Sequence, residues 1–279
     1  MDNNKLYLIP TPIGNMDDIS KRIIDTLNYV DIIFCEDTRS TSILLNYLNI
    51  KKKLISSHKF NEESNINKML KYLEEGKNVG IVSDRGTPCI SDPGYILTNA
   101  AVEHNYEVIA IPGPTAFIPA LITSGIIPQP FLFYGFLNSK KSNRKKELEK
   151  LRFEKETIIF YEAPHRIEET IEDMKQILGN NRKISISREI TKKYEKKYYG
   201  TLENILNKLD EIKGEFVIVV EGNNEIDNYN DMSLMEHIEL YISQDLKIMD
   251  AIKQVAKERN MKKSDVYAYY QKEKEKGDN

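Results

Sequence analysis

The segment 83–94, SDRGTPCISDPG, concentrates turn-forming and hydrogen-bonding residues directly after the apolar run Val79–Val82. Gly86 lacks a side chain, so we expect the backbone there to approach a ligand closely. Asp84 and Thr87 can form hydrogen bonds with polar parts of the same ligand. A buried strand that ends in Gly, Pro and Asp before a helix is typical of ligand crevices at the carboxyl ends of parallel strands. The stretch therefore predicts a binding loop.

Two other strand ends have similar chemistry: PTPIGN at 10–15 and IPGPTA at 111–116. Any one of the three could be an ordinary turn, but together they predict loops that converge on one crevice. The chain contains no G-x-G-x-x-G after its first strand and no G-x-x-x-x-G-K-S/T. Because these phosphate-binding patterns are missing, we expect a compact ligand that is bound by backbone groups.

The elements that must position these loops alternate in type. Short runs rich in β-branched residues recur at 6–9, 31–35, 53–57, 79–83 and 107–111. Stretches with apolar residues at helical spacing separate them, at 18–29, 41–48, 62–75 and 93–104. Strands that alternate with helices indicate a mostly parallel sheet covered on both faces. We predict an N-terminal α/β domain over residues 1–112.

After Pro112–Gly113–Pro114 the pattern changes, and a second α/β domain on a mixed sheet is predicted over 113–222. Its predicted strands lie at 131–136, 157–162, 183–189, 195–201 and 215–221, with a hairpin around 192–193. The polar segment 223–233 is interpreted as a linker. Residues 234–279 are predicted to be a small helical unit of the helix-turn-helix type, which either contacts nucleic acid or serves only as a packing unit.

Composition limits the classes of function. The 279 residues carry a net charge of −3, so contacts with a nucleic acid would have to be local. Cys35 and Cys89 follow no metal-ligand spacing, and no metal is expected. No apolar run has the length of a signal peptide or a membrane span, so we expect a cytoplasmic protein without a membrane partner.

Five motifs together resemble the tetrapyrrole methylase superfamily: LYLIPTPIGNMDDIS, EDTRST, SDRGTPCISDPG, IPGPTA and FYEAPHRI. Within it, the chain resembles the ribosomal branch, the ribosomal RNA small subunit methyltransferase I group, over roughly residues 5–222. Relatives that act in cobalamin and siroheme synthesis carry G-x-G-P-G-D where this chain has Thr11–Asn15. The loop departs from the family pattern at Arg85, where the residue is usually small, and at Cys89, which is usually Gly.

The resemblance implies two α/β domains that form a homodimer, with S-adenosylmethionine bound in the cleft between them. It also implies 2′-O-methylation of a cytidine in the decoding region of 16S ribosomal RNA in the small ribosomal subunit. By analogy, the residues that bind the cofactor are Pro12, Ile13, Gly14, Asn15, Arg85, Gly86, Thr87, Pro88, Thr115, Ala116, Glu162 and Ala163.

A ribose hydroxyl is a weak acid, so this reaction would benefit from a general base. The candidates at strand ends are Glu36, Asp37 and Asp84, with His165, Glu162 and Glu189 across the cleft. Glu36 and Asp37 belong to a segment that could equally be a helix N-cap with an internal ion pair. His165 could likewise cap the helix predicted at 166–178. The sequence leaves the choice of base open.

Two basic segments, 139–150 and 191–199, are candidates for RNA contact, and we expect the first to be a loop beside the cleft. The candidate residues are Lys140, Lys141, Arg144, Lys145, Lys146, Lys192 and Lys193. A solvated basic surface is the alternative for both segments. At the level of function, the alternatives are a tetrapyrrole-precursor methylase with the same fold and a non-catalytic RNA-binding protein.

Overall fold

The first five strands form one parallel sheet. In the computed structural model, which describes residues 4–223, 232–243 and 246–277, they pair in the order β3-β2-β4-β1-β5. Their bounds are β1 Lys5–Leu8, β2 Ile32–Cys35, β3 Lys53–Ser56, β4 Val79–Val82 and β5 Glu107–Ala110. All residues of β2 and β4 are buried, as expected for central strands with helices on both faces.

Helices cover both faces of this sheet: α1 Lys21–Tyr29, α2 Thr38–Tyr47, α3 Glu62–Glu74 and α4 Tyr95–Glu103. Because successive side chains of a strand point to opposite faces, Ile33 and Phe34 belong to two different apolar clusters. The short helix α5, Phe117–Ile122, follows the loop after β5. The parallel α/β layer that the sequence predicts is confirmed.

The second sheet is mixed, with the order β6-β7-β10-β8-β9. Only β6 and β7 are parallel, and the other neighbours run antiparallel. The strands are β6 Phe131–Phe136, β7 Thr157–Glu162, β8 Lys183–Arg188, β9 Lys196–Thr201 and β10 Phe216–Val220, with helices α6 Lys141–Leu151 and α7 Ile167–Leu178. β8 and β9 form the predicted hairpin, whose turn contains Lys192 and Lys193.

Two local expectations were wrong. The basic segment at 139–150 was expected to be a loop, but most of it forms α6. The helix expected at 41–48 begins earlier, at Thr38, because the Asp37 side chain accepts a hydrogen bond from the Arg39 N–H at 2.8 Å and caps the helix.

The chain divides into two compact units: the first contains both sheets and extends to Gly222, apart from Lys150–Lys155. Since both sheets lie in this one unit, the division at 112–113 stays a prediction. In the second unit, α8 Leu234–Ser243, α9 Ile248–Glu258 and α10 Lys263–Gly277 pack around a small apolar core. The predicted linker falls mainly on 224–231, which lie outside the described residues.

Candidate active site

Hydrogen bonds join the three strand-end loops. The Thr11 N–H donates to the Gly86 carbonyl at 2.9 Å, and the Gly86 N–H donates to the Thr11 carbonyl at 3.0 Å. The Thr87 hydroxyl donates to the Pro114 carbonyl at 2.9 Å. The loops after β1, β4 and β5 therefore meet at one edge of the parallel sheet.

Gly86 has a structural role in this arrangement. Its φ of +81° is left-handed, a conformation that glycine adopts without a steric penalty. Its N–H and its carbonyl are both bonded to Thr11, and the Ser83 hydroxyl also donates to that carbonyl, at 3.0 Å. Gly86 therefore ties two loops together and also lines the first cavity, and its close approach to a ligand stays a prediction.

The same loop holds two further left-handed residues that carry side chains, Cys89 at φ +70° and Ser91 at φ +66°. A glycine, the usual residue of the family at position 89, would adopt this backbone conformation without strain. Strained backbone of this kind is found preferentially at binding and catalytic sites.

A cavity of about 350 Å³ opens beside these loops, and most of the predicted cofactor residues line it. They are Ile13, Arg85, Gly86, Thr87, Thr115, Ala116, Glu162 and Ala163. Sequence reasoning missed several other residues in its wall, among them Asp92, Phe136, Tyr161, Ile190 and Glu215. We refer to this space as the first cavity.

A second cavity of about 470 Å³ shares Arg85 with the first. Its lining includes the predicted residues Pro12, Gly14, Asp84, Glu189 and Lys192. The predicted residues thus divide between two adjoining spaces, both inside the first compact unit.

Five of the predicted cofactor-binding and catalytic residues line neither cavity: Asn15, Glu36, Asp37, Pro88 and His165. The Asn15 side chain accepts from the Asp17 N–H at 3.0 Å and caps a short turn. Asp37 caps α2 and forms an ion pair with Arg39 at 2.7 Å, which is the structural alternative left open by the sequence. His165 is exposed in a short turn, and its side chain does not cap α7.

Glu162 lies at the end of β7 and is almost fully buried. Its carboxylate accepts hydrogen bonds from the Ala163 N–H at 2.8 Å, the Arg166 guanidinium at 2.5 Å and the Thr170 hydroxyl at 2.7 Å. With these three donors in place, the Glu162 carboxylate stabilises the shape of the strand end.

Several carboxyl groups share this edge of the sheet, and their pKa values are perturbed. Burial and repulsion by Asp84 raise the pKa of Glu36, while burial and repulsion by Asp37 raise the pKa of Asp84. Burial, followed by the charges of Glu36, Asp84 and Glu215, raises the pKa of Asp92 to about 7. Asp92 was overlooked as a candidate although it belongs to the ISDPG part of the opening motif, which was the available signal.

Ion pairs cross the region where the two cavities meet. The guanidinium of Arg85 is bonded to one carboxylate oxygen of Glu215, and Lys192 donates to the other at 2.8 Å. Lys192 also donates to Glu189 at 2.8 Å. Its stem covers Gly14, where an added Cβ would lie 2.4 Å from the Lys192 Cγ. Lys192 is therefore part of the cleft wall.

The candidate RNA contacts differ in their availability. Arg144 is fully buried, and its guanidinium pairs with Asp173 at 2.8 Å and Glu169 at 3.1 Å, so it is removed from the candidates. The half-buried Lys145 donates to Gln176 at 2.7 Å. The side chains that remain exposed are those of Lys140, Lys141, Lys146 and Lys193.

None of the helices in the described ranges is long and apolar enough to cross a membrane. Among the same residues, no three His, Cys, Asp or Glu side chains are grouped so that they could hold a metal ion.

Residues 5–206 match the family model for Tetrapyrrole (Corrin/Porphyrin) Methylases. The chain is 47% identical over 277 residues to the ribosomal RNA small subunit methyltransferase I of Bacillus subtilis, covering 96% of this chain and 94% of that one. Identity to the protein of the same name from Mycoplasmopsis pulmonis is 44% over 216 residues, covering 77% of this chain and 96% of the relative.

Solved structures share the fold at low sequence identity. The methyltransferase CobJ superimposes with a TM-score of 0.59 at 16% identity, covering 79% of this chain and 95% of that one. A uroporphyrin-III C-methyl transferase from Thermus thermophilus, complexed with S-adenyl homocysteine, gives a TM-score of 0.57 at 14% identity, covering 79% and 98%.

Proposed function

Because the chain belongs to the tetrapyrrole (corrin/porphyrin) methylase family, we propose that it is a methyltransferase that transfers a methyl group from S-adenosylmethionine to 16S ribosomal RNA. At finer detail, the proposed acceptor is the 2′-hydroxyl of a cytidine in the decoding region. The observation that carries the proposal is the full-length similarity to relatives named ribosomal RNA small subunit methyltransferase I, joined to a built cavity at the matching motifs.

The lining of the first cavity fits S-adenosylmethionine. A volume of about 350 Å³ falls in the range of small-molecule sites. Ile13, Ile190 and Val217 offer apolar surface for a nucleoside. Arg85 offers a positive charge that suits the carboxylate of the donor's amino acid portion. We assign this cavity to the methyl donor.

When bound, S-adenosylmethionine supplies a methyl group that its sulfonium already activates. The protein's part is therefore chiefly to orient the reacting atoms in line. The hydrogen bonds between Thr11 and Gly86 and between Thr87 and Pro114 serve this purpose, since they hold the three loops in one arrangement. Because these loops are already ordered, less conformational entropy is lost when a ligand binds.

We assign the second cavity to the target nucleotide. It adjoins the first at Arg85, so a ribose held there would meet the donor at the shared wall. Lys192 adds a second cation beside it. The exposed Lys140, Lys141, Lys146 and Lys193 would contact phosphates farther along the strand. We further propose that the protein acts in the cytoplasm as a homodimer.

The test is methyl transfer from radiolabelled S-adenosylmethionine to isolated small ribosomal subunits. We expect label in 16S RNA at one cytidine, in a form that protects the adjoining phosphodiester bond from alkali. A substrate with 2′-deoxycytidine at that position should accept no label. Label on the deoxy substrate would redirect the assignment to a base atom, and label only on a tetrapyrrole precursor would overturn the RNA proposal.

A further inference from the structure

Asp92 occupies an unusual position in the first cavity. It follows β4 in the binding loop and lines the wall. The segment after it is held firmly, because the buried Glu62 carboxylate accepts hydrogen bonds from the Gly94 N–H at 2.9 Å and the Leu97 N–H at 3.2 Å. The Asp92 carboxyl group is thus presented from a fixed backbone.

The other carboxylates that line the two cavities already have partners. Glu162 accepts three hydrogen bonds, and Glu189 and Glu215 are both paired with Lys192. Asp84 accepts from the Asp37 N–H at 3.1 Å. Asp92, within the described ranges, forms no hydrogen bond or ion pair. Its lone pairs are therefore free to accept a proton from a bound molecule.

The charges around Asp92 come from several elements. Glu36 at the end of β2, Asp84 after β4 and Glu215 before β10 all repel its ionised form. Arg85 lines the same cavity, as does the buried Tyr161 of β7, whose pKa burial raises to about 12. Burial and these carboxylates bring the pKa of Asp92 to about 7, close to the value that serves a general base best at neutral pH.

Asp92 is also linked electrostatically to the second cavity. It lines the first cavity, and its charge interacts with that of Asp84, which lines the second. The two cavities adjoin at Arg85, which follows Asp84 in the chain.

We propose that Asp92 is the general base of the reaction and that it accepts the proton of the target ribose hydroxyl. This inference rests on the proposed function. As the new bond forms between the 2′-oxygen and the methyl carbon, the hydroxyl proton passes to the Asp92 carboxylate. The bond between the methyl carbon and sulfur breaks with its electron pair on sulfur, which leaves in the neutral thioether S-adenosylhomocysteine. The carboxyl group then releases its proton to water.

The test compares wild-type protein with Asp92→Asn and Asp92→Glu across pH, using small ribosomal subunits as substrate. In the wild type, kcat/KM should fall about tenfold per pH unit below pH 7, because only the ionised base is active. Asp92→Asn should lower kcat by about 10²- to 10⁴-fold and remove this dependence, while the Kd for S-adenosylmethionine stays within about threefold. Asp92→Glu should keep part of the activity and should keep the fall of kcat/KM at acidic pH, which we call the acidic limb of the profile. Glu36→Gln removes a repelling charge and should move the limb to lower pH.

A second measurement needs no RNA. A folded-state pKa of about 7, against the ordinary 3.8, means that the stability contributed by Asp92 is fully present below pH 4 and is lost as the pH rises to 7. Asp92→Asn cannot ionise, so its free energy of unfolding should lack this decrease. Identical pH dependence in the two proteins would refute the titration on which the base role depends.

The outcomes separate the two proposals. If wild-type protein methylates no ribosomal RNA, the proposed function itself fails. If the wild type is active and Asp92→Asn keeps either its rate or the acidic limb, Asp92 is not the base. A loss of S-adenosylmethionine affinity with unchanged kcat at saturation would identify Asp92 as a donor contact and overturn the inference.

Discussion

Substituting Gly86 by alanine tests whether the pair of hydrogen bonds between Thr11 and Gly86, which we call the bridge, shapes the first cavity. The bridge joins the loops after β1 and β4. At φ +81°, an added Cβ would lie 3.2 Å from the Ile13 Cγ2 and 3.4 Å from the Pro114 carbonyl oxygen. Both neighbours belong to the joined loops, and Ile13 lines the first cavity. The crowding therefore acts directly on the cavity wall.

Gly86→Ala is expected to have two effects, one on the free energy of unfolding and one on the Kd for S-adenosylmethionine. A left-handed backbone costs an alanine about 1–2 kcal/mol relative to glycine, which should lower the free energy of unfolding by that amount. If the crowding also breaks one of the two hydrogen bonds to Thr11, the wall loses about 1 kcal/mol more. Passed on to ligand binding, this loss corresponds to a roughly fivefold weaker Kd for S-adenosylmethionine.

Gly76 supplies the matched control. It has a similar φ of +89°, and nothing lies within 4 Å of its added Cβ. Gly76→Ala should therefore lose a similar free energy of unfolding in urea titrations, while calorimetry finds unchanged affinity for S-adenosylmethionine. Gly86→Val, which is bulkier, should weaken binding more than Gly86→Ala. If Gly86→Ala and Gly76→Ala bind the donor equally well, the bridge does not shape the site.

Two further predictions concern residues outside the cavities. Arg144→Met should lower the free energy of unfolding by about 3 kcal/mol, because it removes the buried partner of Asp173 and leaves this carboxylate only the more distant Lys145 at 3.6 Å and Lys141 at 4.0 Å. The double variant with Asp173→Leu should recover most of this loss in the same urea titration, and wild-type stability of the single variant would contradict the buried pair. Replacing three exposed lysines of the helical unit by alanine should weaken binding to the small subunit, with the affinity for S-adenosylmethionine unchanged. The slope of log K against log salt concentration should become shallower by roughly 0.7–0.9 per lost phosphate contact. An unaltered slope would identify the unit as a packing element. The lysines are Lys257, Lys262 and Lys263.

Arg259, in the same helical unit, illustrates why only these three lysines are chosen. It lies between Lys257 and Lys262 in the sequence and carries the same charge. In the structure its guanidinium bonds the buried His237 at 3.0 Å and the Met232 carbonyl at 2.8 Å. An arginine held in such a network stabilises the packing of the unit. Its replacement would lower the stability of the unit, so a loss of RNA binding could not be assigned to a lost phosphate contact.

Much of the fold follows from local pattern. The apolar run Val79–Val82 predicts a central strand because only a strand covered on both faces buries consecutive side chains. The loops at 10–15, 83–94 and 111–116 could be located for a similar reason: Gly and Pro end strands through their own backbone restrictions, whatever surrounds them. Parallel topology then requires these ends to lie at one edge of the sheet.

The properties of single side chains depended on residues distant in sequence. Arg144 lies in a basic run, and only the packing of α6 against α7 buries it beside Asp173. Asp92 acquires its perturbed pKa from burial and from Glu36 and Glu215, which the chain brings from separate strands. Electrostatic and burial energies depend on distance through space, whereas turns and strand patterns depend on near neighbours along the chain. For this reason the sequence by itself located the strand-end loops, while the tertiary structure decided which of the carboxylates that line the two cavities has no hydrogen-bond partner among the described residues.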